Sequence, residues 1–581
     1  MPELVSRQDF ARAIQLQRYH MGAAAGPLMR LTGLTEINEI YAKLQPYQGL
    51  DFIDKLFELL EVELIVEGRD LSQLPSGGFV VISNHPFGTL DGLALVKVFG
   101  AQRPDFKIMA NFLLQNILTI KDFFVAVNPL ESHPGAYSNL LGMKQALKHV
   151  TSGHCLGIFP AGEVSTFQPK HRAILDRPWQ KSAIKLIQRA GVPVVPVYFE
   201  GANSALFHLM GLIHPALRTA AIPSEMLKKK HTRIRMRIGS PISSREIQAI
   251  SGADRLGRYL RARAYSLDAD LGRAPFFRQR FQIQWPQRAI AQPGDPALIR
   301  NEVAQLAPDR LICRQAEFDV YCASAQEIPS VLQEIGRLRE ITFRGVGEGT
   351  GLTRDLDEYD LIYLHLFIWD REQQTLVGAY RMGKGDEIMA THGVRGFYTH
   401  TVFKIHEGFN PILSQSIELG RSFVLASYQK KRLPLFLLWK GIHTYLQHHP
   451  QYRYLIGPVS ISNDYATLSK EVIVALIRRY YFDENLAKLV QPRKRFRPQI
   501  KKVDVEDLLE GVTNDLKQMD RLIEEIEPAH FRLPILLKKY IKQNARIICF
   551  NVDPKFNNCL DGFMVLDLKD LPPETVESMG E

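Results

Sequence analysis

Four short apolar runs, each followed at once by a loop, constrain the fold of this chain more than any other feature. They read FVVISNHP (79–86), FFVAVNPL (123–130), CLGIFPAG (155–162) and VPVVPVYFEG (192–201). Continuous apolar runs of this length are typical of strands buried on both faces, and the loops and helices between them are typical of an open sheet. The sequence therefore predicts an α/β domain whose functional loops follow its strands.

The length of the chain predicts more than one such domain. At 581 residues it exceeds what a single hydrophobic core usually supports, so we expect two domains. The break is predicted at residues 281–300, where Pro, Gln and Gly interrupt every periodic pattern. This linker separates an N-terminal helical cap (1–74) and a first α/β domain (75–280) from a second α/β domain (301–581).

The segment VVISNHPFGTLDG carries a candidate catalytic pair, His85 and Asp91. An imidazole can take a proton from a hydroxyl at neutral pH, and a carboxylate on its other nitrogen fixes the tautomer and stabilises the imidazolium. On spacing alone, a structural hydrogen bond or coincidence explains such a pair more often. The segment FPAGEVS (159–165) adds a Gly turn, a Glu and a Ser that suit a polar or phosphorylated head group, although an ordinary β-turn would look the same.

Taken in order, NHPFGTLD, FFVAVNPL, FPAGEVS and VPVVPVYFEG resemble the glycerophosphate and lysophospholipid acyltransferase family, in its hemolysin-like subgroup, over residues 75–245. The resemblance implies that His85 is the general base and Asp91 its orienting partner. It also implies a substrate site that contains Asn84, Gly162, Glu163 and Ser165. Two departures leave the acceptor open: five residues separate His from Asp where four are commoner, and Ala161 replaces the usual glutamate after FP.

The second half contains four charged segments: LREITFR (338–344), RDLDEYD (354–360), LVGAYRMG (376–383) and ELGRSFV (418–424). An acidic cluster beside a strand can hold an ammonium group, and a Glu and an Arg three positions apart can form a pair that organises a cleft. Salt bridges on a solvated surface would produce the same pattern.

As an ordered set, these segments resemble the acyl-homoserine-lactone synthases and the ornithine-lipid-type N-acyltransferases, over residues 315–470. The resemblance implies an acetyltransferase-like (GNAT) fold and a catalytic pair, Glu418 and Arg421. The substrate-binding residues that it implies are Arg339, Phe343, Asp357, Asp360 and Arg381. The donor would be an acyl or 3-hydroxyacyl chain on acyl carrier protein, or acyl-CoA, and the acceptor the α-amine of an amino acid. Glu418 or Asp360 would assist deprotonation of the amine, and a strand splay near Gly378 to Met382 would admit the thioester.

The net charge of +10 fits an anionic partner such as a phospholipid surface, an acidic carrier protein or nucleic acid. We expect no nucleic acid, because no recognition-helix, RNP or zinc motif is present. Five scattered cysteines without CxxC spacing indicate neither a metal site nor a disulfide framework. Lys430, Lys431, Arg432 and the run at 492–502 would dock a carrier protein, or they form a solvated or membrane-facing patch.

The expected location is the cytoplasm, peripherally on the inner face of the bacterial cytoplasmic membrane. No apolar stretch reaches about 18 residues, and the first residues lack the apolar core of a signal peptide. The segment LFHLMGLIHPALR (206–218) is a candidate for contact with a membrane, or a core helix.

Together these features predict a bifunctional acyltransferase that makes an aminolipid without a tightly bound cofactor. N-acylation of an amino acid by a 3-hydroxyacyl chain creates a lyso-lipid hydroxyl, which His85 then activates for O-acylation. Ornithine is the first choice of amino acid, followed by glycine or lysine, because no motif selects the side chain. One alternative is a lysophospholipid or glycerol-phosphate acyltransferase with a non-catalytic C-terminal domain. Another is a basic membrane scaffold or lytic protein, which the lack of a pore-forming segment disfavours.

Overall fold

The structure of the chain is a computed structural model. It describes residues 4, 7, 25–111, 117–127, 136–169, 171–213, 215–268, 287–431, 433–500, 502–527 and 531–574. The chain divides into a first unit, Met1–Leu271 with Ile500–Thr513, and a second unit, Gly272–Gln499 with Asn514–Glu581. Residues 8–24 of the predicted helical cap, residues 281–286 of the predicted linker and Arg432 lie outside the described part.

A mostly parallel sheet forms the centre of the first unit. The strands of this unit are β1 (Glu63–Gly68), β2 (Phe79–Ser83), β3 (Lys107–Asn111), β4 (Phe124–Val127), β5 (Cys155–Ile158), β6 (Thr166–Gln168), β7 (Ala173–Leu175), β8 (Val194–Glu200) and β9 (Arg233–Ile238). Seven of them pair in the order β1-β9-β8-β2-β5-β3-β4, and β6 with β7 forms a separate hairpin. Only β8 and β9 in the sheet pair antiparallel. The carboxyl ends of β2, β5 and β8 therefore lie side by side.

Helices cover both faces of this sheet. They are α1 (Ala25–Leu31), α2 (Leu34–Leu44), α3 (Gly49–Leu59), α4 (Thr89–Gln102), α5 (Ala136–Thr151), α6 (Lys181–Ala190), α7 (Ala205–Ile213), α8 (Pro215–Leu227), α9 (Ser244–Ala249) and α10 (Ala253–Tyr265). In β2, Phe79 and Val81 enter one core while Val80 and Ile82 enter the other. Burial on both faces explains why this strand is continuously apolar.

One part of the predicted helical cap is not helical. Residues 63–68, ELIVEG, form β1 and pair in parallel with β9 at the edge of the sheet. The prediction of helix there is wrong, because a short segment containing Ile and Val gains more from pairing with β9 than from one further helical turn.

The second unit is built on a mixed sheet. Its strands are β10 (Leu311–Gln315), β11 (Phe318–Ser324), β12 (Leu364–Asp370), β13 (Thr375–Lys384), β14 (Phe403–Ile405), β15 (Ser416–Val424), β16 (Tyr454–Ile461), β17 (Val490–Pro492), β18 (Arg546–Asp553) and β19 (Cys559–Asp567). Eight of them pair in the order β10-β11-β12-β13-β15-β16-β19-β18. Only β15 and β16 within that sheet are parallel neighbours.

The parallel pair β15 and β16 opens partway along its length. The two strands are paired from Ser416 to Glu418, and beyond Glu418 they no longer pair with each other. Gly457 marks the opening: its φ is +154°, and a Cβ there would lie 2.1 Å from the carbonyl oxygen of Leu419. The splay predicted near Gly378 to Met382 is therefore misplaced, because those residues of β13 pair with β12 and β15 on both sides.

Helices of the second unit flank this sheet. They are α11 (Pro296–Gln305), α12 (Pro329–Arg344), α13 (Gly385–His392), α14 (Tyr398–Val402), α15 (Asn410–Ser414), α16 (Leu433–His448), α17 (Thr467–Tyr480), α18 (Glu484–Ala487), α19 (Leu516–Ile526) and α20 (Ile535–Lys542). No helix in the described ranges has both the length and the apolar character needed to cross a bilayer.

Residues 500–513 return to the first unit, although they follow most of the second unit in sequence. Their short helix, Val505–Leu508, packs against α10, where Arg258 Nε lies 2.8 Å from Asp507 Oδ1 and Arg255 bonds Glu510. The first unit is thus assembled from two separate stretches of chain.

Two candidate active sites

The first candidate site is formed by the loop between β2 and α4. Asn84 fixes this loop to the neighbouring strand β8: its Nδ2 donates to the carbonyl of Phe199 at 2.9 Å, and its Oδ1 accepts from the Phe199 amide at 2.7 Å. Since Asn84 is only 3% exposed and fully engaged, it positions the residue that follows it, His85. Its contribution is to hold the loop.

His85 and Asp91 are in contact, as their spacing suggested. Nδ1 of His85 lies 3.0 Å from Oδ2 of Asp91, a fully buried carboxylate in the first turn of α4. That same oxygen accepts hydrogen bonds from the amides of Phe87 at 2.9 Å and Gly88 at 3.0 Å. Burial raises the pKa of Asp91, and the contacts with His85 and the two amides oppose that rise. The carboxylate occupies Nδ1, which leaves Nε2 of the partly exposed ring to act on a substrate.

The loop FPAGEVS lies directly beside His85. The ring of Phe159 stacks on the imidazole with centroids 3.8 Å apart, and the Ser165 amide donates to the His85 carbonyl at 2.8 Å. Asp176, which no motif indicated, joins both loops: it accepts from the Ser165 hydroxyl at 2.6 Å, from Trp179 Nε1 at 3.1 Å and from the His85 amide at 3.3 Å. Ser165 is therefore engaged in holding the loop.

Gly162 and Glu163 shape the remainder of this site. The φ of Gly162 is +70°, and a Cβ there would lie 2.2 Å from Nε2 of Gln180, so only glycine fits without a shift. The Glu163 carboxylate is shared by two arginines: it bonds Arg218, and Arg177 Nε lies 3.2 Å away. The structure thus brings together all six residues predicted for the first domain, in loops after β2 and β5.

In the second unit, four predicted residues form one buried ionic network. Arg339 of α12 donates to Asp360 Oδ1 at 2.7 Å, and Arg381 of β13 lies 3.3 Å from Asp360 Oδ2 and bonds Asp357. Both arginines are fully buried. Although burial disfavours its charged form, Arg339 and Arg381 hold the pKa of Asp360 well below its usual range. A carboxylate so firmly paired is a poor acceptor for a substrate proton.

Glu418 is likewise saturated by hydrogen bonds. Its carboxylate accepts from the Tyr398 amide at 3.0 Å, the Thr399 amide at 2.6 Å and the hydroxyls of Tyr363 and Thr399, and the residue is 1% exposed. Burial raises the pKa of Glu418, and these donors oppose the rise. The arrangement fastens the start of α14 to β15 and leaves no free oxygen lone pair directed at a substrate.

This geometry leads to a prediction about stability. Glu418→Ala should lower the free energy of unfolding of the second unit by about 3 kcal/mol, because several buried donors lose their acceptor at once. Urea titration of the intrinsic fluorescence of Trp369 and Trp439 measures the effect. Glu418→Gln, which keeps the size and one carbonyl oxygen, should recover part of the loss. An unchanged midpoint in the alanine variant would contradict the structural role.

Arg421 lies where β15 has parted from β16. Its Nε is 3.1 Å from Asp355 Oδ2, its Nη1 donates to the Tyr398 hydroxyl at 3.3 Å, and Nη2 is 3.7 Å from Asp357. The guanidinium carbon lies 4.8 Å from the ring centroid of Tyr398 and 5.0 Å from that of Phe556. The backbone φ of +52° is unusual for a residue other than glycine and accompanies the bulge in this strand. Arg421 thereby joins the buried network to the open part of the sheet.

Phe343 is the one predicted residue of the second domain that lies in the apolar core. It is 7% exposed, and its ring packs edge-on against Phe556 with centroids 5.6 Å apart. Its link to Arg421 is therefore indirect and passes through Phe556.

Two carboxyl groups with the pKa expected of a general base were not predicted from the sequence. Asp561 of β19 is 3% exposed, and its Oδ1 accepts a hydrogen bond from Ser460 of β16 at 2.7 Å. Burial and the nearby carboxylates of Asp553 and Glu348 raise the pKa of Asp561 to about 7, against the opposing effects of Ser460 and Arg421. A group that titrates near neutral pH is suited to accepting a proton.

Glu348, just after α12, has similar properties. Burial and the negative charge of Asp464 raise the pKa of Glu348 to about 7, while Arg421 lowers it. No short motif marks Glu348 or Asp561, since they come from distant segments that only the folded sheet brings near Arg421. Within the described ranges, no group of His, Cys, Asp and Glu side chains is arranged to hold a metal ion.

Two protein families match separate parts of the chain. Residues 9–273 match the family described as Acyltransferase, and residues 338–439 match the Acetyltransferase (GNAT) domain. The matches confirm the predicted α/β fold class, with an acyltransferase domain followed by a GNAT-type domain.

Curated bacterial proteins are similar to the chain as well. It is 30% identical over 262 residues to a glycine N(alpha)-acyltransferase of Phocaeicola vulgatus, covering 42% of this chain and 79% of that protein. The glycine N(alpha)-acyltransferase of Bacteroides thetaiotaomicron is 31% identical over 276 residues, covering 45% and 80%. A lyso-glycine lipid O-acyltransferase of P. vulgatus is 28% identical over 215 residues, covering 36% and 74%. The chain therefore resembles both an N-acyltransferase and an O-acyltransferase of one organism.

Proposed function

Since the chain belongs to the acyltransferase family of the bacterial glycine N(alpha)-acyltransferases, we propose that it makes a diacylated amino-acid lipid in two steps. The second unit would acylate the amine of the amino acid, and the first unit would acylate the hydroxyl of the resulting lyso-lipid. The observation that carries this proposal is the presence in one chain of a His85–Asp91 pair and of near-neutral carboxyl groups beside Arg421 at an open sheet.

In the N-acylation step, the amine attacks the carbonyl carbon of a 3-hydroxyacyl thioester. The new N–C bond forms as the C–S bond breaks, the amine proton passes to the Asp561 carboxylate, and Asp561 returns that proton to the departing thiolate. The negative charge of Glu348 contributes to the raised pKa of Asp561. The proposal thus departs from the expectation that Glu418 or Asp360 is the base, because both are already paired.

In the O-acylation step, His85 Nε2 takes the proton of the 3-hydroxyl as its oxygen attacks a second thioester. The C–O bond forms, the C–S bond breaks, and the imidazolium returns its proton to the thiolate. Asp91 stabilises the imidazolium through Nδ1, and Asn84 with Asp176 holds the loop in place. One residue, His85, therefore both takes up and returns the proton in this step.

Glycine is our proposed amino acid, in place of ornithine, because the N-acyltransferase relatives are named for glycine. Ornithine is the second candidate, since several carboxyl groups interact here: Asp464 raises the pKa of Glu348, and Asp553 and Glu348 raise the pKa of Asp561. A second ammonium group would be stabilised there.

We propose acyl carrier protein as the donor of acyl chains, with acyl-CoA as the alternative. Lys430 and Lys431 are exposed in the loop that follows β15, the strand that opens. A carrier protein is acidic, and exposed lysines after the end of β15 would attract it and orient its thioester arm.

Peripheral association with the membrane is part of the proposal and concerns α7. On this helix Leu206, Leu209 and Leu212 are 57%, 56% and 65% exposed, at spacing that places them on one face. Such a face is costly in water and favourable at the boundary of a bilayer.

Replacing these three leucines with serine should weaken binding to anionic phospholipid vesicles by about 10-fold or more. The reason is that three leucine side chains would no longer enter the apolar boundary of the bilayer. Cosedimentation with vesicles measures it. The matched control is Leu298→Ser, an equally exposed leucine in the second unit (54%). Equal vesicle binding by the wild-type protein, the triple-serine variant and Leu298→Ser would exclude α7 as the membrane contact.

The proposed function is tested with purified full-length protein, 3-hydroxyacyl carrier protein, and glycine or ornithine, followed by mass spectrometry. The expected products are the N-(3-hydroxyacyl) amino acid and then its O-acylated form, with glycine preferred. Formation of phosphatidate from lysophosphatidate, with no acylated amino acid, would instead support the narrower phospholipid acyltransferase.

A further inference from the structure

A buried side-chain amide near the first site has no partner. Asn203 lies in the loop between β8 and α7 and is 5% exposed, yet neither Oδ1 nor Nδ2 forms a hydrogen bond with any residue that the structure describes. Buried amides in folded proteins nearly always have partners, so the Asn203 side chain has hydrogen-bonding capacity available for a ligand.

The loop that carries Asn203 is otherwise firmly held. The amide and hydroxyl of Ser204 both donate to the Glu225 carboxylate at 2.7 Å, and Lys229 Nζ donates to the Ala202 carbonyl at 2.8 Å. The residues on either side of Asn203 are thus anchored to the end of α8 and just beyond it. The unpaired amide belongs to an ordered, well-bonded loop.

This loop packs against the loop of the catalytic pair. A Cβ on Gly201 would lie 2.8 Å from Cζ of Phe87, one of the five residues between His85 and Asp91 in sequence. The ammonium group of Lys229 lies 4.5 Å from the centroid of the same Phe87 ring. On its other side, Phe207 packs with Val164 of the FPAGEVS loop. The segment that carries Asn203 therefore packs against both loops of the first site.

Cations exceed carboxylates beside this position. Arg218 is 7% exposed and is paired with Glu163, which also pairs with Arg177. Together with the Lys229 ammonium group near Phe87, these ions leave a net positive charge, which suits the carboxylate of an acylated amino acid.

A carboxamide offers donors and an acceptor, and its oxygen can accept a hydrogen bond from the N–H of another amide. We propose that Asn203 recognises the amide bond of the lyso-lipid, with Oδ1 accepting from its N–H. This inference rests on the proposed function, because N-acylation is the step that creates that amide. The hydroxyl to be acylated is only two carbons from the amide carbonyl, so this contact would place it close to His85. A lysophospholipid has an ester there and lacks the N–H.

The test compares two acceptors on the full-length protein: N-(3-hydroxypalmitoyl)glycine and its ester analogue, 3-hydroxypalmitoyl glycolate. The wild-type protein should O-acylate the amide with a kcat/KM about 10-fold to 100-fold above that of the ester. Asn203→Ala should abolish this preference by losing activity on the amide and little on the ester. Its N-acylation of glycine should be unchanged, which serves as the internal control.

Thermal unfolding supplies a second readout. Because the Asn203 side-chain amide has no hydrogen-bond partner among the described residues, Asn203→Ala should be as stable as the wild-type protein or more stable, whereas a structural asparagine would lower Tm when removed. An equal preference for ester and amide in the wild-type protein overturns the inference, even if the variant fails to fold. If the wild-type protein acylates neither acceptor, the proposed function itself fails; if the variant keeps the preference, only the role of Asn203 does.

Discussion

His85→Ala should lower the rate of O-acylation by about 10³-fold while N-acylation continues at the wild-type rate. The reason is that no other described group is placed to take the proton: Asp91 is fully buried behind the imidazole, and Asp176 already accepts three hydrogen bonds. Mass spectrometry of lipids from a host without aminolipids should then show the monoacyl product accumulating in place of the diacyl one.

Two further variants sharpen this result. Asp91→Asn should also reduce O-acylation strongly, since an amide nitrogen or a neutral oxygen beside Nδ1 cannot stabilise the imidazolium. His231→Ala removes an imidazole that is 69% exposed and pairs with Glu61 on the surface of the same unit, and it should leave both activities intact. Retention of the diacyl lipid by His85→Ala would show that the base is elsewhere.

Asp561→Asn should reduce N-acylation by about 100-fold at pH 7 while leaving O-acylation of a supplied lyso-lipid unchanged. In the wild-type protein, kcat/KM for N-acylation should rise with pH through about 7, because the base must be deprotonated. The variant should lose that rise, and Glu348→Gln should weaken it. A pH profile of both reactions on the same preparation measures these effects.

Stability separates this catalytic effect from unfolding. Burial raises the pKa of Asp561 to about 7, so folding takes up a proton between its usual pKa and about 7, and the folded state loses stability as the pH rises through that interval. Asparagine cannot ionise, and it retains the size to meet Ser460. Asp561→Asn should therefore be at least as stable as the wild-type protein at pH 8. Asp570→Asn, at an exposed position after β19, is the matched control, and full N-acylation by Asp561→Asn would refute its role as base.

The sequence predicted the candidate site best where the functional side chains directly follow the end of a strand. His85, Asp91 and the FPAGEVS loop each follow a strand that is apolar throughout, because it is buried on both faces. Parallel pairing then brings these loops to one edge, so a local pattern is enough to predict that they meet.

The remaining parts depend on contacts that no local pattern specifies. Asp176 reaches His85 from another loop, and Asp561 reaches the neighbourhood of Arg421 through the pairing of β16 with β19. The position of the sheet opening depends on Gly457, whose close approach to Leu419 is visible only in the folded chain. Glu418 belongs to the motif ELGR, but this motif does not predict that the carboxylate is buried and accepts hydrogen bonds from four donors.

The return of residues 500–513 to the first unit affects how the protein can be made and divided. During synthesis, the first unit lacks the helix Val505–Leu508 until most of the second unit has left the ribosome, so its completion is delayed to a late stage of translation. A cut at the linker would likewise release a first fragment that lacks residues 500–513. Expressing the two units as separate proteins therefore requires that this segment be supplied again or that its contact surface on α10 be redesigned.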